Sequence, residues 1–405
     1  MKEKLFTKNF TLLVLGQVSS LFGNYIMRLA LSMYVLELTG SAAVFAGLLS
    51  AATIPTILLS PFGGILADRA DRRNIMVALD AMTGTAVLCA ALLLSEQRAL
   101  VVIGALLVLL SVLGAFETPT VQACIPSMLT GDNIIRGNAV VNQTASISYL
   151  TAPLLGGIFY SAFGIKPVMY ASVLCFFVTA FLECFIRLDY RPAGFGGNAL
   201  AVAKADFLDS VRFIGKERRD ILRILLLAAL SRFFVMGVTL VGLPFLVRTV
   251  LGLDARYYGA AESVHAVAVI AGSMAAGVLA GKIQKGGLSA MLAAVGLCIV
   301  PAGLAFLLPA GTGVRYAVLV AAFCGMQIAI SMFSIYAVSM IQQGTPEYMI
   351  GKVMAYTSAI TMCAQPAGQM VYGFLFDGFK EMVWLVLIPT GAIVCGIGMA
   401  VGRKG

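Results

Sequence analysis

Four ionisable residues lie deep inside long apolar segments of this chain, where a charge is costly and usually functional. Glu262 and His265 are three residues apart, so on a helix they share a face and can reach each other. Arg28 and Arg232 lie midway along two other apolar segments. Burial favours the protonated form of a carboxyl group, whereas a nearby cation favours its ionised form. Glu262 is therefore predicted to alternate between a protonated and an arginine-paired state, as proton coupling requires. The alternatives are a static ion pair or a position in an outer vestibule for Glu262, and a packing role for His265.

The chain lacks the motifs of catalysis and of ATP use. It has one histidine, no Gly-x-x-x-x-Gly-Lys phosphate loop and no His-Glu-x-x-His pair, which argues against ATP-driven pumping and metal-dependent hydrolysis. Its eight cysteines all lie in apolar segments without a Cys-x-x-Cys pair, as expected of small apolar side chains in helices. The sequence thus predicts a protein that is not an enzyme and has no catalytic residue, metal or cofactor.

Polar side chains recur at helical spacing inside the apolar segments. The first segment carries one stripe at steps of three and four residues: Gln17, Ser20, Asn24, Arg28 and Ser32. Shorter stripes follow in three later segments: Asn142, Ser146 and Tyr149; Gln327, Ser331 and Ser334; Thr357, Thr361, Gln365 and Gln369. Any one stripe could serve interhelical hydrogen bonds. Because the stripes occur in both halves of the chain, they favour a shared central cavity for substrate and proton. Its candidate residues are Gln17, Asn24, Arg28, Asn142, Arg232, Glu262, His265, Gln327 and Gln365.

The elements that position these residues are membrane-spanning helices. Of the 405 residues, 60% are apolar and 12% charged, against about 25% charged in soluble domains. Runs of about 20 apolar residues are needed to span a bilayer as a helix. Twelve such runs are predicted, near 9–36, 43–66, 74–94, 99–126, 137–162, 167–187, 221–250, 257–281, 287–308, 314–341, 350–376 and 382–402. The predicted fold class is an all-α membrane protein in which both termini lie on one side.

The distribution of positive charge predicts which side that is. Of the 28 Lys and Arg residues, 20 fall at the termini or in the even-numbered loops and six in the odd-numbered loops. Cytoplasmic loops carry the excess of Lys and Arg, so both termini are predicted to be cytoplasmic in a multi-pass cell-membrane protein. The net charge of +9 follows from this bias, so no nucleic-acid partner is expected.

The chain has the organisation of two parallel repeats. Pro153 recurs as Pro366 at an offset of 213 residues, and Gly64 recurs at the same offset as Gly277, with Lys285 in place of Arg72. An offset of about half the chain length indicates two similar halves. The predicted domains are an N-terminal six-helix lobe (1–187), a cytoplasmic linker (188–220) and a C-terminal six-helix lobe (221–405).

A charged segment between the second and third spans is predicted to be a gate. Its residues are Gly64, Asp68, Arg69, Arg72 and Arg73. Asp68, at the cytoplasmic end of the second helix, can hold an arginine or a neighbouring helix terminus and so close that face. Asp80 and Glu117 lie toward the cytoplasmic ends of their helices and are assigned to the same network. The alternative is a purely topological anchor.

Pro153, Gly156 and Gly157 mark a second special position, in the fifth span. A proline removes a backbone hydrogen bond and paired glycines permit close approach, so they predict a bend or a helix-packing contact.

These motifs resemble those of the major facilitator superfamily over the whole chain. The Gly-x-x-x-Asp-Arg-x-x-Arg-Arg pattern beginning at Gly64 is the first, and Ala152-Pro153-Leu154-Leu155-Gly156-Gly157 resembles the Gly-Pro-x-x-Gly-Gly motif of drug:proton antiporters, with Ala152 for its first glycine. The opening helix, with Gly16-Gln17 and Gly23-Asn24, is similar to macrolide-efflux and siderophore-export proteins, with Asn24 where an acid is common.

The resemblance implies twelve helices in two six-helix repeats and alternating access. It further implies proton-coupled efflux of an amphipathic organic compound, either drug-like or a siderophore, by a monomer whose partners are substrate, protons and membrane lipid. Uptake or uniport of a small metabolite, and a non-transport scaffold or sensor, are the alternatives.

Overall fold

The computed structural model describes residues 5–188, 218–279, 287–346 and 349–402. Within these ranges the chain forms twelve long helices and no strand. They are α1 (Lys8–Thr39), α2 (Ala42–Arg69), α3 (Arg72–Leu93), α4 (Ala99–Met128), α5 (Asp132–Phe163), α6 (Ile165–Glu183), α7 (Arg219–Val250), α8 (Ala255–Leu279), α9 (Gly287–Leu307), α10 (Thr312–Gly344), α11 (Ile350–Gly378) and α12 (Trp384–Gly402). The predicted all-α fold with twelve long helices is confirmed. Most of the predicted linker, and Lys285 in the second-half counterpart of the gate segment, lie outside the described residues.

Ten of the described helices are long and apolar enough to cross a membrane. The other two are α5 and α11, which carry the polar stripes that begin at Asn142 and Thr357. A helix with a polar stripe is suited to face protein or water rather than lipid. Their lower hydropathy therefore follows from the residues that make them candidates for a cavity wall.

Short connections between the helices depend on local backbone chemistry. Gly164 alone links α5 to α6, and its φ of +75° is a left-handed conformation that costs glycine little. At the start of α3, the Asp71 side chain accepts a hydrogen bond from the Arg73 backbone N–H at 3.1 Å. This N-cap satisfies a donor that the first helical turn leaves unpaired. The gate segment is thus a capped, tight connection between α2 and α3.

Helix α7 departs from regular α geometry in two π-helical segments, Gly237–Gly242 and Leu246–Val250. The first lies against α11, where a Cβ added at Gly237 would lie 2.3 Å from the Tyr372 ring. Because glycine has no side chain, the backbone of α7 can approach α11 closely there.

The chain forms two compact units. Unit 1 comprises Met1–Thr39, Ala51–Phe195 and Leu253–Ser263, and unit 2 comprises Gly40–Ser50, Gly196–Gly252 and Val264–Gly405. The first residues of α2 thus belong to unit 2, and the first residues of α8 belong to unit 1. The domain boundaries inferred from the sequence remain a prediction.

Candidate functional site

Unit 2 contains a cavity of about 370 Å³ walled by α7, α8, α10 and α11. Its polar lining comes from Ser231, Arg232, Ser273, Gln327, Ser331, Ser334, Thr357, Ser358 and Thr361. Apolar side chains such as Val235, Met236 and Phe333 complete the wall. The predicted stripes on α10 and α11 therefore converge on one cavity. Gln365, one turn beyond Thr361, is half-buried and is not among the lining residues.

Arg232 is the one charged side chain among the residues that line this cavity. It is half-buried, and its Nε has no hydrogen-bond partner in the described part of the chain. A guanidinium that is partly removed from water and lacks a carboxylate partner is suited to receive an acceptor from a ligand.

His265 connects to the same cavity through Gln327. Its Nε2 lies 2.8 Å from Gln327 Oε1, and Gln327 Nε2 donates to Ser331 Oγ at 3.3 Å. The imidazole is only 3% exposed, and its Nδ1 has no partner among the described residues. The hydrogen bond of His265 is thus made to Gln327, and not to Glu262 as the three-residue spacing suggested.

Glu262 lies in unit 1 in a group of aromatic hydroxyls. The buried Tyr258 is hydrogen-bonded to it, and Tyr149 on α5 interacts with it electrostatically. The ring of Tyr149 packs edge-on against that of Tyr25 on α1, with centroids 5.6 Å apart. A phenol can donate to a carboxylate or accept from a carboxylic acid, so these surroundings can accommodate either form of Glu262.

Arg28 is exposed midway along α1, and its Nε lies 2.7 Å from Asn24 Oδ1. The titratable groups that face it are the Tyr25 phenol and the Glu117 carboxyl group. Arg28, one of the two arginines available to pair with Glu262, therefore interacts with another acid, Glu117 on α4. Asn142, the candidate cavity residue of α5, is exposed.

The arginines of the gate segment bind helix ends of unit 1. Arg72 donates from Nε to the Ala67 carbonyl at 2.8 Å and from Nη1 to the Ala123 carbonyl at 2.9 Å. Arg73 donates to the carbonyl of Cys184, directly after α6. These two side chains thus tie the α2–α3 connection to α4 and α6. Gly64, Asp68 and Arg69 belong to the α2 backbone. The surroundings of Gly64 and the side chains of Asp68 and Arg69 lie outside what the structure describes.

Asp80 and Glu117 meet at Ser20 rather than at the gate arginines. Ser20 Oγ lies 3.0 Å from Asp80 Oδ1 and 3.4 Å from Glu117 Oε1. Glu183 of α6 interacts electrostatically with both carboxyl groups and is fully buried. Sequence reasoning missed Glu183, although it is the one acidic residue in the apolar run 167–187. Gln17, predicted to line a cavity, is buried one turn before Ser20 and is 6% exposed.

The paired glycines of α5 form a close helix crossing in unit 1. A Cβ added at Gly157 would lie 2.6 Å from the Ala255 carbonyl oxygen, and one at Gly156 would lie 3.2 Å from Ile26 Cα. From the other side, a Cβ at Gly259 would lie 2.3 Å from the Pro153 carbonyl oxygen. The motif that includes Pro153 therefore packs α5 directly against α1 and the beginning of α8.

A family model, described as Major Facilitator Superfamily, matches residues 13–369. The chain belongs to the Major Facilitator Superfamily. The family inferred from the gate and α5 motifs is thereby confirmed, and the protein is a multi-pass membrane transporter of small molecules and not an enzyme.

Individual superfamily members give the degree of similarity. Macrolide efflux protein A of Streptococcus pyogenes is 23% identical over 389 residues, covering 94% of this chain and 92% of that protein. The staphyloferrin A transporter of Staphylococcus aureus is 27% identical over 165 residues, 40% of this chain and 41% of that one. A crystal structure of the nucleoside transporter NupG superposes with a TM-score of 0.74 at 12% identity, covering 97% of this chain and 99% of that one. This structural likeness concerns the fold alone.

Proposed function

We propose that this superfamily transporter exports an amphipathic organic compound from the cytoplasm in exchange for protons, by alternating access. The observation that carries the proposal is the cavity of unit 2, where Arg232 and several hydroxyl groups face apolar side chains. Amphipathic ligands need both kinds of surface in one pocket. Relatives named for the efflux of a macrolide and the transport of staphyloferrin A support export of such compounds.

The cavity favours a substrate that carries an anionic group. Arg232 is its one charged lining residue, so a ligand carboxylate there would pair with the guanidinium. The apolar remainder of the ligand would contact side chains such as Phe333 and Met236. The volume of about 370 Å³ lies within the range of about 300–1,000 Å³ that is usual for small-molecule sites.

Coupling to protons is proposed to involve Glu262. Tyr258 and Tyr149 can stabilise either its ionised or its protonated form, as an exchangeable proton requires. In the proposed topology, with both termini cytoplasmic, Glu262 lies in the outer half of α8. The gate segment is proposed to close the cytoplasmic face, and the bonds of Arg72 and Arg73 to α4 and α6 support that role.

Transport into inverted membrane vesicles tests the proposal. Candidates come from a resistance and uptake screen of drugs, siderophores and lipids in a host without its own pumps. With an acidic lumen, vesicles containing the protein should accumulate the exported compound, and collapse of the pH gradient should release it. Uptake in the cell would give the opposite response to the gradient. Liposomes with pure protein that pass no screened solute would favour a scaffold or sensor.

A further inference from the structure

Three carboxyl groups from three helices meet inside unit 1, at a place that the cavity of unit 2 does not include. Asp80 of α3 is 3% exposed, Glu183 of α6 is fully buried, and Glu117 of α4 is half-buried. We refer to these three residues as the carboxyl cluster. No donor group of the described residues reaches the oxygens of Glu183, whose carboxyl group instead lies within hydrogen-bonding reach of the carboxyl group of Asp80. The buried amide nitrogen of Gln17 also has no hydrogen-bond partner among the described residues.

Ser20 can bridge two carboxyl groups of the cluster. Its Oγ lies 3.0 Å from Asp80 Oδ1 and 3.4 Å from Glu117 Oε1. A hydroxyl group has one hydrogen, so it can donate to only one of the two carboxyl groups at a time. It can accept from the other only when that group is protonated, because a carboxylate has no hydrogen to donate.

Burial limits the negative charge that the cluster can carry. An ionised carboxylate that is removed from water without a partner is costly. Asp80, Glu117 and Glu183 would together carry three negative charges, while among the described residues Arg28 is the one cation in electrostatic contact with any of them. Bound protons would relieve this repulsion.

The groups that face the cluster supply no second cation. From α1 these are Ser20 and Arg28, with Tyr25 beside Arg28. Cys184, after α6, and Cys124 of α4 both face Glu183, and Asp71 and Arg72 of the gate segment face Cys124. Among the described residues, no three His, Cys, Asp or Glu side chains are placed to hold a metal ion. The ligand that this chemistry fits is the proton.

An apolar layer separates the cluster from the predicted cytoplasmic ends of the same four helices. Phe10 and Leu13 precede Gln17 on α1, Met76 precedes Asp80 on α3, Cys124 and Ile125 follow Glu117 on α4, and Ile186 follows Glu183. Each of these side chains is fully or almost fully buried. These apolar side chains lie between the cluster and those helix ends, and the half-buried Glu117 is the least buried member of the cluster.

We propose that Asp80, Glu117 and Glu183 form a proton-binding site that is loaded through Glu117. A proton from water adds to a Glu117 carboxylate oxygen, and its transfer through the Ser20 hydroxyl to Asp80 forms one O–H bond for each that breaks. Glu183 accepts or returns the proton by direct exchange with Asp80. The binding of the proton is independent of the proposed export, whereas its use for coupling rests on that function.

Infrared difference spectroscopy of the purified full-length protein in lipid nanodiscs tests proton binding without a transport substrate. The probe is the proton alone, supplied by exchange between alkaline and mildly acidic buffers. The wild type should show a protonated-carboxyl stretching band that grows on acidification. The band should weaken by one carboxyl group or more in Asp80→Asn and in Glu183→Gln, and the loss should be largest in the triple variant with Glu117→Gln. Asp132→Asn, which removes an exposed carboxylate of the same unit, should leave it unchanged.

Two controls keep this outcome interpretable. Ser20→Ala retains all three acids and should shift the pH at which the band appears, because it removes the bridge between two of them. A band that is identical in the wild type and the triple variant, or one that does not change between the buffers, would overturn the proposal. If the band titrates and depends on the cluster while no compound is moved by a pH gradient, proton-coupled export fails and the proton site stands.

Discussion

At the scale of single residues, the charge of Arg232 is the clearest constraint on substrate. A guanidinium in a cavity within the membrane region is expensive unless water or a ligand supplies acceptors. The side chains that share its cavity are hydroxyls, an amide and apolar groups, so in the proposed function the ligand supplies the negative charge. A cationic amine would meet repulsion at this wall.

Replacement of Arg232 by Gln should therefore reduce affinity for carboxylate-bearing substrates. A hydrogen bond to a charged group contributes about 1.5–3 kcal/mol, which corresponds to a loss of about 10- to 150-fold in affinity. Arg232→Lys keeps the charge but not the planar fork, so its loss should be smaller. Binding of a substrate and of its neutral ester to purified protein measures the effect. An equal loss for acid and ester would show that Arg232 acts through packing.

Glu262 can be tested by a substitution that keeps its shape. Glu262→Gln removes the exchangeable proton, so we expect loss of gradient-driven export but retention of substrate exchange across a membrane without a pH gradient. His265→Ala should matter less, because His265 bonds to Gln327 and not to Glu262. Undiminished pH-driven transport in the Gln variant would remove Glu262 from the coupling step.

The sequence predicted several of these residues but not their partners. Arg232 and Glu262 were predictable, because a charge within an apolar run is itself a signal. The association of Ser20 with Asp80 was not, since 60 residues separate them and tertiary packing decides the pairing. Glu183 carried a similar signal, since it is the one acidic residue in the apolar run 167–187, but the sequence analysis did not single it out.

At the scale of helices, small residues form matched crossings in the two units. In unit 1, Gly259 of α8 meets the carbonyl of Pro153 in α5. In unit 2, a Cβ added at Gly373 of α11 would lie 2.5 Å from the Ala46 side chain of α2. Helices α2 and α8 are the second of each half, and α5 and α11 the fifth. The repeat inferred from Pro153 and Pro366 thus recurs as an equivalent packing contact.

Gly259→Ala should destabilise the α5–α8 crossing. The new methyl group would overlap the Pro153 carbonyl, and overpacking of this kind costs about 1–3 kcal/mol. Gly277→Ala is the matched control on the same helix, because nothing lies within 4 Å of its added Cβ. Thermal unfolding of the two purified variants measures the difference. Equal melting temperatures would show that the crossing relaxes without cost.

Asp377 of α11 caps the N-terminus of α2, a contact that sequence reasoning did not identify. Its carboxylate accepts hydrogen bonds from the backbone N–H of Ala42 at 2.6 Å and of Ala43 at 3.1 Å, and from the Ser41 hydroxyl. These are donors that a helix start leaves unpaired. Because the cap comes from a residue more than 300 positions away, no local pattern around Ser41 could predict it.

Asp377→Ala should therefore lower the free energy of unfolding by about 0.5–2 kcal/mol, the usual cost of losing an N-cap. Asp254→Ala is a suitable comparison, since its ion pair with Arg256 at 3.2 Å lies on the surface and should contribute little. Chemical unfolding in detergent micelles compares the two. A loss at Asp377 no larger than at Asp254 would argue that Ser41 and water replace the cap.

At the scale of the whole molecule, the twelve helices were more predictable from the sequence than their grouping into two compact units. The apolar runs gave all twelve helices, because the bilayer imposes one length and one backbone hydrogen-bond pattern. The π turns of α7 were not predicted, and the first of them coincides with the close packing of Gly237 on α11, a tertiary contact that no local pattern encodes. The assignment of α2 and α8 to both units also depends on crossings such as that of Gly259, which no periodicity encodes.

The orientation of the molecule is predicted from the distribution of Lys and Arg among its loops and can be tested by cysteine labelling. The 20-to-6 bias of Lys and Arg predicts that loops near Lys204 and Lys285 are cytoplasmic and that those near Arg98 and Lys380 are external. Exposed native cysteines such as Cys89 and Cys363 would obscure the result, so the eight cysteines should first be replaced.

In intact cells, a membrane-impermeant thiol reagent should then label only the cysteines introduced near Arg98 and Lys380. A permeant reagent should label all four positions, which controls for accessibility. Labelling near Lys204 by the impermeant reagent would reverse the orientation, and with it the direction in which a proton loaded at Glu117 is released.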